Sequence, residues 1–544
     1  NNIKLLLMKK ILIHLELIIG LIAVLTFNGC KEDIDPIVTD LTFSRAFTPL
    51  DFNAQIANKT TAEFSWTALK AADHYVLEIY KGSDVTTGTM VQSVNIDGTL
   101  VAFSVILQGN TEYAARIKAV SSVEGVGESN WAVISFETLP ENLFDGYVTE
   151  MTAMHEFTVR WKPGQTVTAL VLDNGSSQST YNLSDAEIAA GQAVFTSVDN
   201  AAYKISIMYN TVIRGVTHVL VEGDVLLPAG GDLKATIKSM SPGQVLVLEN
   251  GATYPLAYAD TITASIKIRA IFSDNQPVIY LASAASNQSN HMFDIGASMT
   301  SSDSLVFENI TLTGYYDNAG VTRHRGFIDE EATAFEIGTI KFKNCTLKDS
   351  GRSAIRLRGG SYTQIIHNVI FDGCIMYDYA WDSHYGVLNG AAGGNFYNIV
   401  FRNSTLYNLR GGIVNYTAGA GCTSVVVDNC SFNQTMMDAS SARYLIDFGT
   451  GSNTSAGAIT ISDCIFGQTS AIANGVRNSL MALTVTGSYY TTDYVNVSGS
   501  IIPSMTAYSG ASAALWTAPV AGNFTFLDQA FAVKNPAGDP RWRP

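Results

Sequence analysis

Five polar or charged residues follow an apolar residue at recurring intervals through the second half of the sequence. They are Asp329, Arg358, Asn389, Asn415 and Asp447. If each belongs to a short strand, stacking the strands would align the five side chains in one outward row, to which every strand contributes one group. Because arginine pairs bidentately with carboxylates, the row predicts a site for an extended acidic ligand, with an ion pair between Arg358 and Asp329 as the alternative.

Further basic residues lie close to this row in the sequence. Arg356 lies one pleat period before Arg358, and Arg352 lies in the preceding turn. An earlier loop adds Arg323, His324 and Arg325. In a chain with a net charge of −15, this cluster predicts a local positive patch.

A longer segment after Asp378 would place aromatic residues beside the row. It contains Trp381, His384 and Tyr385, together with Asp382. An exposed tryptophan or tyrosine can stack on a sugar ring at little cost in conformational entropy. The segment therefore predicts glycan contacts, and the alternative is that Trp381 only covers the flank of the fold.

The elements that would position these residues are repeats. Six segments align without gaps: LVFENITL from Leu305, IKFKNCTL from Ile340, VIFDGCIM from Val369, IVFRNSTL from Ile399, VVVDNCSF from Val425 and ITISDCIF from Ile459. Columns one, three, six and eight are mostly apolar or small, and column four is expected to face water. Column five holds residues that tolerate left-handed backbone conformations. Constant strands with variable loops, stacked on one another, predict a solenoid.

A second short strand lies between the repeats, as FID at 327–329, RLR at 356–358, VLN at 387–389, IVN at 413–415 and LID at 445–447. Its middle residue is apolar and its last is polar, which is the period of a strand. With the upstream segment IKSMSPG from Ile237, these repeats resemble polysaccharide-lyase-like (pectin-lyase-like) proteins. That resemblance implies a right-handed parallel β-helix. The end of the chain, GDPRW from Gly538, resembles the terminus of secreted carbohydrate-utilisation lipoproteins.

Four cysteines, Cys345, Cys374, Cys430 and Cys464, share column six and are expected to stack inside the coil. Buried thiols are one possibility, and a disulfide between strands about 4.8 Å apart is the other. One column of a sheet does not offer the converging ligands that a metal ion needs, so no metal site is predicted. The state of Cys422, in a loop, is open as well.

Residues 46–140 contain short alternating segments separated by turns, a pattern that predicts a β-sandwich. Trp66, Leu107, Thr111 and Tyr113 resemble a fibronectin type III domain, in which the tryptophan packs in the core and the tyrosine braces a corner. Residues 141–227 repeat the pattern more weakly and predict a second sandwich-like domain. Both are expected to hold the next domain away from a membrane.

The first residues form a recognisable pattern: Met8, two lysines, an apolar stretch and then Gly29-Cys30. It resembles a lipoprotein signal peptide, which implies cleavage before Cys30 and acylation of that cysteine. Lys31-Glu32-Asp33 resembles the signal that brings lipoproteins to the outer surface of glycan-foraging Gram-negative bacteria. The expected location is therefore the outer membrane, lipid-anchored and facing the medium. An ordinary cleaved export signal and a solvated charged linker are the alternatives.

Length and composition agree with several β-rich domains. The chain has 544 residues, of which 47% are hydrophobic and only 15% charged, with 45 glycines. The net negative charge argues against generalised nucleic-acid binding. We expect an all-β chain with these divisions: 1–30, upstream residues and signal peptide; 31–45, linker; 46–140, fibronectin type III-like domain; 141–227, second sandwich-like domain; 228–500, right-handed parallel β-helix; 501–544, C-terminal cap segment.

The sequence leaves catalysis open. The segment IRLRGG from Ile355 resembles the arginine strand of alginate and chondroitin lyases of the β-helix type, whose asparagine-lysine base motif is absent here. A lyase needs a base for the C5 proton and a cation to neutralise the carboxylate, and a glycosidase needs two carboxylates about 5 to 10 Å apart. The candidate catalytic residues are Arg356, Arg358, Asp329 and Asp382, with Asp447 as a further carboxylate.

The expected function is binding of an acidic, pectin-like polysaccharide for uptake or degradation by partner proteins, such as an outer-membrane transporter complex. A lyase or glycosidase acting in the same groove is one alternative, and an adhesin or structural surface protein is another. No cofactor is expected for binding, and Ca²⁺ only for a lyase. The residues expected to contact the glycan are Arg352, Arg356, Arg358, Trp381, His384, Tyr385, Asn389, Asn415 and Asp447.

Overall fold

The computed structural model describes residues 43–256, 260–282, 291–316, 325–330, 333–379, 385–450, 455–477, 480–495 and 501–544. The fold is all-β, as predicted, with only short helices. The described chain divides into two compact units. The first consists of residues 43–141 with Val212–Arg214, and the second of Asn142–Thr211 with Gly215–Pro544.

The first unit contains a sandwich of two antiparallel sheets whose strand order is fibronectin type III-like. Trp66 and Tyr113 are buried, as predicted, and the Tyr113 hydroxyl accepts a hydrogen bond of 3.1 Å from the Gln108 backbone N–H. The three-stranded sheet has the order Asn53–Ala57, Thr61–Ser65, Ala102–Ile106, and the four-stranded sheet the order Thr89–Asp97, Ala72–Lys81, Glu112–Ser121, Ala132–Glu137.

A second antiparallel sandwich follows in the chain, with Phe157, Trp161 and Ile205 in its core. One sheet has the order Gln178–Asn182, Ala169–Asp173, Ala201–Tyr209, Val212–Val221, and the other the order Gln192–Thr196, Glu156–Arg160, Glu150–Ala153. The helix Asp185–Ala190 begins with a capping box between Ser184 and Glu187, and ends at Gly191 in the left-handed conformation.

Three sheets of parallel strands make up most of the second unit, and the chain visits them in turn. Sheet I contains Val225–Leu227, Val245–Leu248, Ile266–Arg269, Ser304–Glu308, Phe335–Lys343, Gln364–Asp372, Asn395–Arg402, Ser424–Asp428, Ala458–Ser462 and Ala482–Thr486. Sheet II contains Thr253–Leu256, Val278–Leu281, Thr311–Tyr316, Thr346–Lys348, Ile375–Tyr379, Thr405–Leu409, Ser431–Asn433, Ile465–Phe466, Tyr489–Tyr490 and Thr506–Ala507.

Sheet III is made of shorter strands that end beside the loops. Its strands are Asp260–Ile262, His291–Ile295, Gly326–Glu330, Ser353–Leu357, Leu388–Asn389, Val414–Asn415, Tyr444–Asp447 and Asn474–Arg477. Except at the first pair of sheet I and the last pair of sheet II, each strand pairs in parallel with the strand three places later in the chain. This arrangement fits a β-helix or a related solenoid. The helix Leu233–Ser239 lies before the second strand of sheet I.

The register of sheet I confirms the alignment of the six repeats. Leu305, Ile340, Val369, Ile399, Val425 and Ile459 are successive partners, and the pairing continues to Leu483 in a seventh segment that the alignment missed. All six residues of column five have positive φ, between 50° and 68°, so each repeat turns at the same place. They are Asn309, Asn344, Gly373, Asn403, Asn429 and Asp463.

One hydrophobic cluster contains the inward residues of all three sheets. Phe307, Phe342, Phe371 and Phe401 stack in column three with ring centroids 5.3, 5.1 and 4.8 Å apart. The cysteines of column six, and Cys422, are buried free thiols. Burial raises the pKa of Cys374 and of Cys422 to about 12, so these thiols stay neutral at physiological pH.

Column four was expected to face water, and for Glu308 that prediction is wrong. Glu308 is 6% exposed, because the end of the second sandwich brings Glu222 close to this part of sheet I. Glu222 and Glu308 share Lys267, and Lys343 contacts Glu308 at 2.8 Å. Burial alone would raise the pKa of Glu308, but hydrogen bonds from Lys267 and Lys343 outweigh it and lower that pKa to about 2.

The C-terminal segment packs on the outward side of sheet II. Its helices Ser512–Leu515 and Gln529–Lys534 and the hairpin Trp516–Ala518 with Asn523–Phe526 form a small core against Tyr407 and Ile465. Thr405 joins this segment to the sheet. Its hydroxyl donates a hydrogen bond of 2.7 Å to the buried Asp539 and accepts one of 2.7 Å from the Trp542 indole N–H.

Replacing Glu308 by Gln should lower the free energy of unfolding at neutral pH by about 3 kcal/mol, since the charge held by the lysines is lost. A carboxylate whose pKa falls from 4.5 to about 2 on folding stabilises the protein above pH 4.5, and this stability disappears as the pH drops towards 2. Urea unfolding at several pH values should show a weaker acid dependence for E308Q. The control is Asp274→Asn, at an exposed carboxylate. If the free energy of unfolding depended on pH in the same way for wild type and E308Q, the expectation would be contradicted.

Replacing Thr405 by Val should cost about 2 kcal/mol, because the shape is kept while Asp539 and Trp542 both lose a buried partner. The midpoint of urea unfolding measures this change. Thr484→Val, at an exposed site of sheet I, is the matched control and should change stability by less than about 0.5 kcal/mol. Equal effects of the two substitutions would show that Thr405 does not hold the C-terminal segment.

Candidate functional site

The predicted row exists at the ends of the strands of sheet III, with one correction. The register pairs Asp329 with Arg356, Arg356 with Asn389, and so on through Asn415 and Asp447. Arg356 therefore takes the place that was expected for Arg358, and the alignment was wrong by two residues at this strand. Arg358 lies beyond the strand Ser353–Leu357, where its backbone N–H donates a hydrogen bond of 2.9 Å to Gln364.

Tyr385 brings two of the predicted arginines together. The guanidinium carbons of Arg356 and Arg352 lie 4.8 and 5.6 Å from the centroid of its ring. Arg356 is 8% exposed, and Tyr385 and Arg352 are half-buried. A cation over an aromatic face is stabilised by the ring quadrupole, so these contacts hold the two side chains on one side of the row.

A polar pocket of about 280 Å³ opens at the other end of the row. It contains Asn415 and Asp447, which were predicted, and Arg477, the next member of the row, which was not. The side-chain oxygen of Asn415 is buried and accepts no hydrogen bond from any described residue. The full lining is Gly386, Gly412, Asn415, Ala442, Arg443, Tyr444, Asp447 and Arg477.

Glycine is required at the floor of this pocket. A Cβ atom at Gly412 would lie 1.9 Å from the carbonyl oxygen of Tyr444 and 2.5 Å from that of Leu445. At Gly386 a Cβ atom would lie 3.0 Å from the carbonyl oxygen of Leu388 and 3.1 Å from the backbone nitrogen of Asn415. The absence of side chains at these two positions lets neighbouring turns approach closely while the pocket stays open.

Charged side chains surround the pocket in pairs. Arg477 donates two hydrogen bonds of 2.7 Å to Asp447 and lies 4.3 Å from the ring centroid of Tyr444. Arg443 donates two to one oxygen of Asp438, at 2.9 and 2.7 Å. Burial would raise the pKa of Asp438, but hydrogen bonds from Ser440 and Arg443 hold it well below its usual range.

A third arginine gives this cluster a net positive charge. Arg410 reaches the second oxygen of Asp438, with 3.7 Å between nitrogen and oxygen. Three arginines (Arg410, Arg443, Arg477) then face two aspartates (Asp438, Asp447), so the cluster carries a net charge of +1, whereas the whole chain carries −15. Such a cluster attracts an anionic group, and Asp438, whose pKa lies well below its usual range, suits binding better than proton transfer.

Several predicted residues cannot be placed. Trp381, Asp382, His384, Arg323, His324 and the lipidation residue Cys30 lie outside the described residues, and for Asp329 only the backbone is described. Among the residues that are described, no three His, Cys, Asp or Glu side chains come together in a way that could hold a metal ion. In the same part of the chain, no helix is long and apolar enough to cross a membrane.

The sequence contains a signal that Arg477 belongs to the row. NGVR at 474–477 ends with an apolar residue followed by a polar one, like the other strands of sheet III. Arg443 and Tyr444 directly precede the strand segment LID at 445–447. Asp438 and Arg410 lie in turns, and no repeat pattern in the sequence indicates that they meet.

Residues 425–542 match a protein family described as "Domain of unknown function (DUF5123)". The matched segment includes Arg443, Tyr444, Asp447 and Arg477 of the pocket, as well as most of the C-terminal segment. No curated protein matches the chain.

Solved structures with similarity to this chain include fibronectin type III proteins. A two-domain segment from chicken tenascin is 16% identical, with 31% of this chain and 96% of that chain covered and a TM-score of 0.17. A domain from human collagen XX is 17% identical, with 18% and 99% covered and a TM-score of 0.15. With TM-scores this low, the fibronectin type III-like assignment depends on the strand order of the first sandwich.

Proposed function

We propose that this chain is a surface lipoprotein that binds an acidic, pectin-like polysaccharide along the row at sheet III. The observation that carries the proposal is the polar pocket, in which arginine, aspartate, asparagine and tyrosine side chains converge at the end of a row of polar groups. The proposal includes closure of the three parallel sheets into a right-handed β-helix of the pectin-lyase-like kind.

The shared core supports the β-helix. Inward residues of sheets I, II and III belong to one hydrophobic cluster, as expected if the three sheets enclose a common interior. Connections between parallel strands of one sheet are almost always right-handed, because the twist of the strands disfavours a left-handed connection. The same preference favours a right-handed coil here. In such a coil the strand ends of sheet III lie side by side, about 4.8 Å apart, and present a continuous binding surface to a polymer.

The charge and aromatic content of the row support an acidic glycan as ligand. Carboxylates of uronic acids would bind the guanidinium groups of Arg443 and Arg477, and hydroxyl groups would bind Asn415. Tyr444 and Tyr385 provide ring faces for sugars, although arginines already cover part of each ring. A neutral polymer would gain from the aromatic and amide groups alone, so de-esterified pectin should bind more tightly than methyl-esterified pectin.

Two substitutions at one ion pair should change affinity for polygalacturonate in opposite directions. Arg477→Ala removes a cation and exposes Asp447 to the ligand, so binding should weaken by about tenfold. Asp447→Asn releases Arg477 from its carboxylate, so binding should be retained or strengthened. Isothermal titration calorimetry measures both.

Arg402→Ala is the matched control, because Arg402 also pairs with an aspartate, Asp372, but on sheet I. It should leave affinity unchanged. Unchanged affinity of Arg477→Ala for both pectin forms would contradict binding at this pocket. A rise in ultraviolet absorbance from unsaturated uronic ends during incubation would instead identify a lyase, and new reducing ends without that rise a hydrolase.

The lipoprotein assignment is supported by the pattern that ends at Gly29-Cys30 and is followed by Lys31-Glu32-Asp33. Cys30→Ala should release the protein from membranes, because the thiol that would be acylated is gone. Replacement of Lys31, Glu32 and Asp33 by alanine should leave it lipidated but protected from protease added to intact cells. Protection of the wild-type protein in that assay would contradict display on the surface.

A further inference from the structure

The first sandwich has an apolar groove at the end where the described chain begins. The groove has a volume of about 590 Å³. Among the residues that line it are Phe43, Phe47, Leu69, Ala72, Val123 and Val126. Most of its lining is apolar, so the groove offers a mainly hydrocarbon surface to whatever contacts it.

Large apolar side chains at the groove remain in contact with water. Phe43, Phe47 and Val123 are 44%, 60% and 51% exposed. The two phenylalanine rings contact each other edge to face, with centroids 4.6 Å apart. Single exposed apolar residues are common on proteins, but a contiguous group around a groove marks a surface that binds a protein or a membrane.

Backbone hydrogen bonds fix this group in position. The Ala46 N–H donates to the Gly127 carbonyl at 2.8 Å, and the Gly127 N–H donates to the Ser44 carbonyl at 3.0 Å. The segment that carries both phenylalanines is thereby held against the loop that carries Val123. The backbone that carries the rings is already ordered, so little backbone entropy is lost when the rings become buried.

The charges that line the groove suit an anionic surface. Arg45 and Lys70 line it together with Glu124, which leaves one more cation than anion in a strongly acidic chain. The Arg45 guanidinium donates a hydrogen bond to the side-chain oxygen of Asn130. Basic side chains beside exposed aromatic rings are the combination that binds headgroups while the rings enter the acyl boundary.

We infer that this end of the first sandwich docks on the lipid surface. This docking is separate from glycan binding. It rests on the proposed lipid anchor only to explain why the groove stays close to the bilayer. Phe43 follows Cys30 by 13 positions (43 − 30), so a lipid on Cys30 would keep the groove within about 45 Å of the bilayer even with a fully extended connection. At that distance the tether adds a high effective concentration to the groove's own affinity for the lipid surface.

Vesicle flotation of the chain from Lys31 onward, which lacks both the acylated cysteine and the apolar stretch before it, tests the inference. This chain is the parent of the variants, and the vesicles consist of phosphatidylethanolamine and phosphatidylglycerol. The parent should float with the vesicles, and Phe43→Ser/Phe47→Ser should lower its partition by about tenfold, since both rings would stay in water. Val123→Asp, in an exposed loop that a folded sandwich tolerates, should have the same effect by placing an anion at the headgroups.

Val133→Ser/Leu139→Ser is the matched control. Both residues are 54% exposed on the same sandwich and neither lines the groove. This variant should float like the parent. The inference is overturned if the parent does not float, or if the groove variants float as well as it does. It is equally overturned if the groove instead mediates self-association, seen as dimers that the phenylalanine substitutions abolish. The proposed lipid anchor is tested separately, by whether the Cys30→Ala protein is released from cell membranes.

Discussion

The in-register parallel pairing of sheet I is the constraint on which the rest of the second unit depends. From Ser304–Glu308 onward, each strand pairs with the next at equivalent positions, and each is followed by a residue with positive φ. Because every repeat turns at the same point, the strands of sheet II begin at equivalent positions, and the variable loops accumulate before and after sheet III. The row of polar side chains is a consequence of this register, since a slip of one residue would turn the row inward.

The same stacking determines how charges are distributed on the outside of the sheets. A side chain in a parallel stack has its equivalent in the next strand about 4.8 Å away, so like charges in neighbouring strands repel. The sequence places opposite charges there instead: Lys343 next to Glu308, Arg402 next to Asp372, and Arg477 next to Asp447. The pairs of Arg402 and Arg477, whose arginines are partly exposed, add little stability, but they keep each cation in a defined position.

Sequence patterns were sufficient for the features that repeat. The apolar columns, the turn residues of column five and the burial of the column-six cysteines were predicted correctly because each repeat gives an independent observation of the same position. The free state of these cysteines, which the sequence left open, is shown by the structure. The pairing of Arg356 was missed because the segment RLR alternates with a period of two, so both arginines fit the outward row equally well. The burial of Glu308 and the meeting of Arg410, Arg443 and Asp438 depend on contacts between distant elements or turns, for which a single sequence contains no periodic signal.

The pairing of the arginines also bears on the kind of ligand that the proposed site would favour. A carboxylate that approaches Arg477 or Arg443 competes with an aspartate that already makes two hydrogen bonds to that arginine. The gain from one uronic acid is therefore the difference between two similar interactions, which is small. A polymer that contacts the row at several strands adds such small gains after losing its translational freedom only once. Under the proposed function, long chains should accordingly be preferred over monosaccharides and short oligomers, although no single residue in the pocket distinguishes between them.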